Sequence, residues 1–452
     1  MNDETPTRLR WVLLPVVVAL VIRLAIVWAH PDMDLHGDEK DFVKGAQQLV
    51  AGEEVTFFPF RPPLYIGFCG AVLAVTGPEQ LDALRVAQIL LEALTILGIV
   101  LLGRATVGAR AGLIAAWLYA LYPDAVAYSH YLWSEALGSA ILIWALLSLV
   151  ALRRRGTLTM ALVNGLLWGA LALIKPHNIY VLPLLLAYLV WENGPEARAR
   201  MLRACLATFV VAILTVLPWS VSVSQDEGEP IFICTTGKLN LKTGVNVLPP
   251  PQTDFASAWH STQGQRSNPD NLRTVGVASF ILSNPVLFIQ RAILKMSYLW
   301  SPNSFVLRNI YDGGKRGKQP KYGRPKNMVP VVRWAVVYGT LLSTMLLTVG
   351  LILGGFSSRC RTLAGLTAVY CFGYMAMITL TPALSRYRLP MMLFAVLHTG
   401  ALLAGDGWRT RLSQPAATLG ARLSGKLGAG LCLGALAILW VLRLPDIIGA
   451  IW

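Results

Sequence analysis

The sequence predicts an all-α, polytopic membrane protein of about eleven spanning helices, and three observations carry that prediction. Hydrophobic residues make up 55% of the 452 positions and charged residues 14%, where a soluble domain carries roughly 25% charge. Mean hydropathy is +0.55. Apolar runs of spanning length recur down the chain, separated by short basic loops. Such a chain cannot cover itself with polar surface in water. A cytosolic enzyme, a disordered chain and a secreted disulfide scaffold are thereby excluded.

The elements follow in order. Asp3 and Glu4 precede Arg8 and Arg10, and the run Trp11 to Trp28 follows. It is too long for a signal peptide and lacks a small-residue cleavage site, so it reads as the first span. Further spans are expected near 82–103, 110–127, 133–151, 158–175, 178–191, 203–220, 329–354, 363–381, 387–404 and 428–445. Residues 61–77 are apolar but short and broken by Gly and Pro, and 276–300 are interrupted by Pro285, Arg291 and Lys295.

Charge decides what those two do. Short cytoplasmic loops are rich in Lys and Arg. The basic loops are Arg104/Arg110, Arg153–Arg155, Arg198/Arg200/Arg203, Arg359/Arg361 and Arg409/Arg411/Arg422/Lys426. All fall on the side of Arg8 and Arg10 only if 61–77 and 276–300 do not cross. These two are therefore expected as interfacial helices on the outer side, with the N-terminus cytoplasmic and the C-terminus outside.

This divides the chain into a tail and first span (1–28), a first outer loop (29–81), a transmembrane core (82–220), a long outer loop (221–328) and C-terminal spans (329–452). In the first loop, Phe42, Val43, Ala46, Leu49 and Val50 recur at helical spacing against Lys40, Asp41, Lys44 and Gln47. That pattern predicts an amphipathic helix on the membrane surface. The long loop contains Pro249–Pro251 and a basic, Gly-rich run over 313–326. Six cysteines are scattered without a CxxC pair, so neither zinc nor a disulfide framework is expected. The net charge of +15 is spent on loop arginines and gives no nucleic-acid signal.

Ionisable groups near span ends gather on the outer side: Asp38, Glu39, Arg61, His130, Glu135, Lys175, His177, Arg386 and Arg388. Asp38 and Glu39 open the amphipathic helix, where a carboxylate can serve as a general base on a hydroxyl. Arg61, Lys175, Arg386 and Arg388 can hold a phosphate, arginine bidentately and lysine as a point charge. A base beside a phosphate clamp is the equipment for displacing a phosphate leaving group by an alcohol. Blander roles compete. Asp38, Glu39 and Glu135 also suit helix N-termini, Lys175 can snorkel and Arg23 can snorkel or be paired, and Glu92, seven residues after Arg85, suits a structural pair or a polar helix contact. The small-residue string 427–435 reads as helix packing. No P-loop, HExxH, GxSxG or Rossmann signature stands in a fitting context.

Taken in order, HGDEKDFVKGAQQLVAGEE, FRPPLYIGFCGAVLAVTG, YPDAVAYSHYLWSEAL, GLLWGALALIKPHNIYVLPLLL, LPWSVSVS and SRYRLP form a series. It resembles the GT-C superfamily of polytopic glycosyltransferases, in particular the group of protein O-mannosyltransferases and lipid A aminoarabinose transferases. The resemblance covers about residues 11–404 and departs at Phe42 and at Pro-Trp-Ser-Val-Ser. It implies a polyprenyl-phosphate-linked sugar donor, attack with inversion, release of polyprenyl phosphate, and a lipid, glycan or protein acceptor at the outer, periplasmic face of a bacterial inner membrane.

By the same resemblance Asp38 deprotonates or orients the acceptor hydroxyl, and Glu39 assists it or holds the fold of the loop. Arg61, Lys175, Arg386 and Arg388 hold the donor phosphate, and Glu135, Tyr65, His177 and Tyr387 line the cavity. No metal site is expected, although outer carboxylates could bind a divalent ion, and no nucleic-acid partner. Two other classes fit outer arginines: a polysaccharide ligase or polymerase with a pyrophosphate-linked donor, and a multi-span lipid or solute transporter. The transporter lacks the matching pair of Gly/Pro-broken helices that marks an inverted repeat.

Overall fold

Proline sets the starts of many helices. Its fixed φ suits the first helical turn, where the missing N–H has no partner to lose. Pro63, Pro123, Pro195 and Pro285 each open a helix. A computed structural model describes residues 9–29, 33, 35, 37–245, 277–302, 330–357, 361–405 and 419–445. The runs 249–251 and 313–326 lie outside these residues.

The described residues form α1 (Leu9–Ala29), α2 (Asp38–Ala51), α3 (Pro63–Thr76), α4 (Leu81–Thr106), α5 (Ala109–Ala120), α6 (Pro123–Tyr128), α7 (Glu135–Arg155), α8 (Leu158–Ala172) and α9 (Asn178–Glu192). They continue with α10 (Pro195–Glu227), α11 (Thr236–Val245), α12 (Val277–Ser283), α13 (Pro285–Leu299), α14 (Pro330–Ser357), α15 (Arg361–Leu380), a 3-10 turn (Ser385–Arg388), α16 (Leu389–Leu403) and α17 (Leu419–Val441).

Every expected span contains a helix, and the chain is an integral, multi-pass membrane protein. The count of eleven is not established. Among the described residues, six helices are long and apolar enough to cross a membrane by themselves: α1, α4, α7, α10, α14 and α15. The segments Leu158–Ala172, Asn178–Glu192 and Lys426–Val441 are apolar but shorter. The expected span 110–127 breaks at Tyr122 into α5 and α6, because Pro123 cannot continue the hydrogen-bond ladder. The expected span 203–220 extends at both ends into α10. The 14 residues of α3 reach about 21 Å, short of a hydrocarbon core of about 30 Å.

The helix α7 is the centre of the bundle and α1 lies at its edge. Their apolar windows are 78% and 22% buried. α7 packs on α4 and α8, α4 on α1 and α5, α8 on α9 and α10, α9 on α15, and α16 on α5 and α14. Gly165 and Gly169, four apart on α8, let α10 approach: a Cβ at either would run into Val211 or Thr215. That is small-residue packing as membranes use it. In the 427–435 string, a Cβ at Gly428 would meet Phe356, while Gly430 and Gly434 face open space.

The two ends of the bundle differ. At one end Arg153 pairs with Glu192 at 2.8 Å, Arg154 donates to Ala105 O, and Thr362 donates to Glu192 at 2.9 Å. The ends of α4, α7 and α9 and the start of α15 thus meet there, and they carry the basic loops. At the other end α2 and α3 pack on each other and α3 on α4, close to the start of α7 and the 3-10 turn.

The interior decides between the alternatives for Arg85, Glu92 and Arg23. Arg85 binds Asp82 at 2.6 Å and Met33 O at 2.7 Å, not Glu92; i,i+3 neighbours share a helix face, whereas residues seven apart are two turns away. Arg23 does not snorkel. It is fully buried and donates to Ala120 O at 3.0 Å, while Glu92 lies close enough to act on its charge.

Candidate functional site

Gly37 turns the chain into α2, so that Asp38, Glu39 and Asp41 all fall in its first turn. Carboxylates are favoured there by the helix dipole, but these three have other partners as well. Asp38 Oδ1 accepts from Arg61 Nη2 at 2.8 Å and Asp38 Oδ2 from Arg386 Nη2 at 2.9 Å. Asp41 Oδ2 accepts from the same Arg61 Nη2 at 2.7 Å. A carboxylate from the first loop is thereby gripped by guanidiniums from residues 61 and 386.

Arg61 is fixed from several sides. Its backbone N–H donates to Phe57 O at 2.8 Å, and its guanidinium lies over the rings of Phe42 and Phe60. Pro62 and Pro63 then start α3. Arg386 stacks on Trp133 at 4.6 Å and on Tyr387 at 5.3 Å, and its Nε has no hydrogen-bond partner among the described residues. Burial works to raise the Asp38 carboxyl, and the charges of Arg386 and Arg61 outweigh it, holding Asp38 well below the usual carboxylate range. Asp38 is therefore ionised at neutral pH.

Beside Arg386 opens a cavity between α7, α8, α9, α15 and α16. Its polar lining is Glu135, Ser139, Lys175, Asn178, Tyr370, Tyr374, Arg386 and Tyr387, closed by Leu142, Leu171 and Leu389. Lys175 donates to Glu135 at 2.8 Å across the wall. Tyr370 donates to Asn178 Oδ1 at 3.0 Å. Arg386 thus belongs to both places, touching the cavity and holding Asp38.

The other expected site residues fall elsewhere. Glu39 is buried, and its Oε1 accepts from Leu132 N–H at 2.7 Å. Tyr65 is buried and donates to Gln88 at 2.7 Å, while Gln88 donates on to Ser129 O and Tyr131 O. His177 lies edge-on to Tyr374 at 4.7 Å, one ring behind the cavity. Burial, with the charge of Lys175, pushes its imidazole down to about 3, so it is neutral. Arg388 is buried and donates to Asp124 Oδ2 at 2.8 Å and to Ser301 O. It does not share the cavity with Arg386. His130 is buried with its ring nitrogens on Arg23 O and Val126 O.

Sequence reasoning missed Asp41, Trp133, Asn178 and Tyr370. Asp41 stands three residues after Asp38, on the same helix face, which was a usable signal; the others carried none. Among the described residues no group of three His, Cys, Asp or Glu side chains comes together around a cation, and both oxygens of Asp38 face guanidiniums. The side chains present suit an anion.

With this geometry in place, the likeness to known proteins is informative. Residues 61–221 match the family of dolichyl-phosphate-mannose-protein mannosyltransferases, a stretch opening at Arg61. No curated protein matches the chain.

Solved structures share its fold. The oligosaccharyltransferase AglB from Archaeoglobus fulgidus, in complex with an inhibitory peptide and a dolichol-phosphate, is 14% identical with a TM-score of 0.52, over 95% of this chain and 55% of that one. The apo form of the Archaeoglobus fulgidus oligosaccharyltransferase is 13% identical with a TM-score of 0.54, over 99% and 56%. ArnT from Cupriavidus metallidurans, bound to undecaprenyl phosphate, is 16% identical with a TM-score of 0.51, over 98% and 75%. The chain spans little more than half the length of the archaeal enzyme. The family model covers residues 61–221, and the solved structures share the fold over nearly the whole chain.

Proposed function

We propose that the protein transfers a sugar from a polyprenyl-phosphate-linked donor to an acceptor hydroxyl, with inversion, at the outer face of the membrane. The observation that carries this is Asp38 held between Arg61 and Arg386, with Arg386 also lining the cavity. Without donor each guanidinium is paired with a carboxylate. An incoming donor phosphate offers more negative charge and competes for both.

As the guanidiniums turn to the phosphate, Asp38 loses the interactions that depress its basicity and becomes a better proton acceptor. The acceptor oxygen attacks the anomeric carbon, its proton passes to Asp38, and the anomeric carbon–oxygen bond breaks. The electron pair leaves with polyprenyl phosphate, whose growing charge Arg61 and Arg386 stabilise in a site sheltered from water. Glu135 and Lys175 present hydrogen-bonding groups to the sugar. Glu39, Tyr65 and Arg388 are assigned structural roles; for Glu39 that is one of the two roles expected of it, and for Tyr65 and Arg388 it departs from the sequence expectation.

The dolichol-phosphate of AglB and the undecaprenyl phosphate of ArnT support a polyprenyl phosphate leaving group. The clustering of arginine-rich loops at the opposite end supports the outer-face assignment. The test is a panel of polyprenyl-phosphate and polyprenyl-pyrophosphate sugars given to the purified protein in lipid, with membrane extract as acceptor source. Mass spectrometry then follows release of the lipid phosphate. Release from a monophosphate donor is expected. Release from pyrophosphate donors alone moves the protein to the ligase class, and no release from any donor overturns the reading.

A further inference from the structure

The two arginines that grip Asp38 lie more than three hundred residues apart in sequence, and one short segment touches both neighbourhoods. Residues 231–236 run back from the end of α10 along the loop that precedes Arg61. Thr235 N–H donates to Pro59 O at 3.1 Å, and the Thr236 hydroxyl donates to Phe60 O, the residue next to Arg61.

The segment is itself fastened to α10. Trp219 Nε1–H donates to Ile233 O at 2.7 Å, Ser220 donates to Phe232 O, and Ile231 N–H donates to Ser224 Oγ at 2.8 Å. The Trp219 ring also meets Phe58 edge-on at 4.7 Å. So α10, the returning segment and the Arg61 loop make one cross-linked block.

The same segment continues as α11, whose far end reaches α15. Lys295 Nζ donates to Gly244 O and to Thr379 O, each at 2.6 Å. A cation shared by carbonyls at two helix C-termini suits their dipoles. A Cβ at Gly244 would run into Leu380 O and lie 2.5 Å from Thr381 Cα. Backbone meets backbone there, five residues before Arg386.

We infer that residues 231–245 form a bridge that sets the separation of Arg61 and Arg386, with Trp219, Thr236, Gly244 and Lys295 as positioning residues. The inference rests on the assignment of those arginines to the donor phosphate. A phosphate held by two guanidiniums from distant parts of the chain needs their spacing fixed, since a displacement of about 1 Å can cost about a hundredfold in rate. A purely structural tie would change stability alone. This bridge acts on donor recognition, because it contacts the segments carrying the clamp and not Asp38.

The experiment compares Thr236→Val, Trp219→Phe and Gly244→Ala with Arg61→Met and Arg386→Met. Donor KM and kcat are read separately, and binding of polyprenyl phosphate is measured directly on the full chain in lipid. Thr236→Val and Gly244→Ala are expected to raise donor KM about tenfold and to weaken polyprenyl phosphate binding in parallel, with kcat changed far less. Trp219→Phe, which keeps the ring edge and loses one hydrogen bond, falls between them and wild type. If Gly244→Ala fails to fold, Thr236→Val carries the test, as it removes one hydroxyl and keeps the shape. Unchanged KM and binding in the bridge variants, while the arginine variants lose both, overturns the bridge and leaves the function standing. Unchanged binding in Arg61→Met and Arg386→Met overturns the function itself.

Discussion

Two aspartate–arginine pairs sit within one short stretch of this structure, and their surroundings give them different work. Asp38 pairs with Arg386, with 27% of the Asp38 side chain and 13% of the Arg386 side chain exposed. Asp124 pairs with Arg388 at nearly zero exposure, in a nest completed by Tyr122, which donates to Asp124 at 2.9 Å. Arg386 and Arg388 differ by two positions in one 3-10 turn. At three residues per turn, side chains two apart point about 240° from each other. One arginine therefore faces the cavity and the other faces the core. Identical pair chemistry stands at a cavity edge in one pair, where a ligand can reach the cation, and forms an internal strut in the other.

That contrast can be broken or sharpened by substitution. The largest effect is expected at Asp38. Asp38→Asn removes the base and should lower kcat about a thousandfold, with the folded protein recovered in normal yield; steady-state release of polyprenyl phosphate measures it. Arg386→Met comes next, with about a hundredfold loss of turnover from a missing phosphate contact and a melting temperature close to wild type.

Arg388→Met should reverse that signature. Removing one partner of a buried pair costs about 3–5 kcal/mol of stability, while turnover per folded molecule persists. Denaturation in detergent reads it, and adding Asp124→Asn should recover part of the loss. Glu39 provides a smaller contrast with its neighbour Asp38. Glu39→Gln keeps an acceptor for Leu132 N–H and should leave turnover nearly intact, whereas Glu39→Ala strands that N–H at a cost of about 1–3 kcal/mol.

The smallest effect is in pH. The folded-state Asp38 carboxyl lies below its unfolded value of about 3.9. Its contribution to stability is therefore present above about pH 4 and lost as pH falls below that value. Melting curves from neutral to acid pH should fall less steeply for Asp38→Asn than for wild type.

Much of this was legible in the sequence because it is local. Helices α4, α7 and α15 follow from apolar runs, and the amphipathic α2 from the spacing of Phe42, Val43 and Ala46. The gathering of Asp38 and Arg61 at one end of the bundle follows from their places near span ends on the outer side. Partner choice inside the bundle was not legible. Arg85 selects Asp82 over Glu92, and Arg388 selects Asp124, through rotations of helices and turns that residue type does not encode. The motif Ser-Arg-Tyr-Arg shows two cations in a row, and only the 3-10 geometry separates them. Asn178 and Tyr370 enter the site because α9 packs on α15, a tertiary fact with no trace in either segment.

What sets the two aspartates apart in the proposed function is that Asp38, and not its buried counterpart, takes part in chemistry. The direct test measures polyprenyl phosphate release from a monophosphate-linked donor by wild type, Asp38→Asn and Asp124→Asn, each normalised to folded protein. Release by wild type and Asp124→Asn is expected, and none above background from Asp38→Asn. Release by Asp38→Asn at the wild-type rate would contradict the role proposed for Asp38.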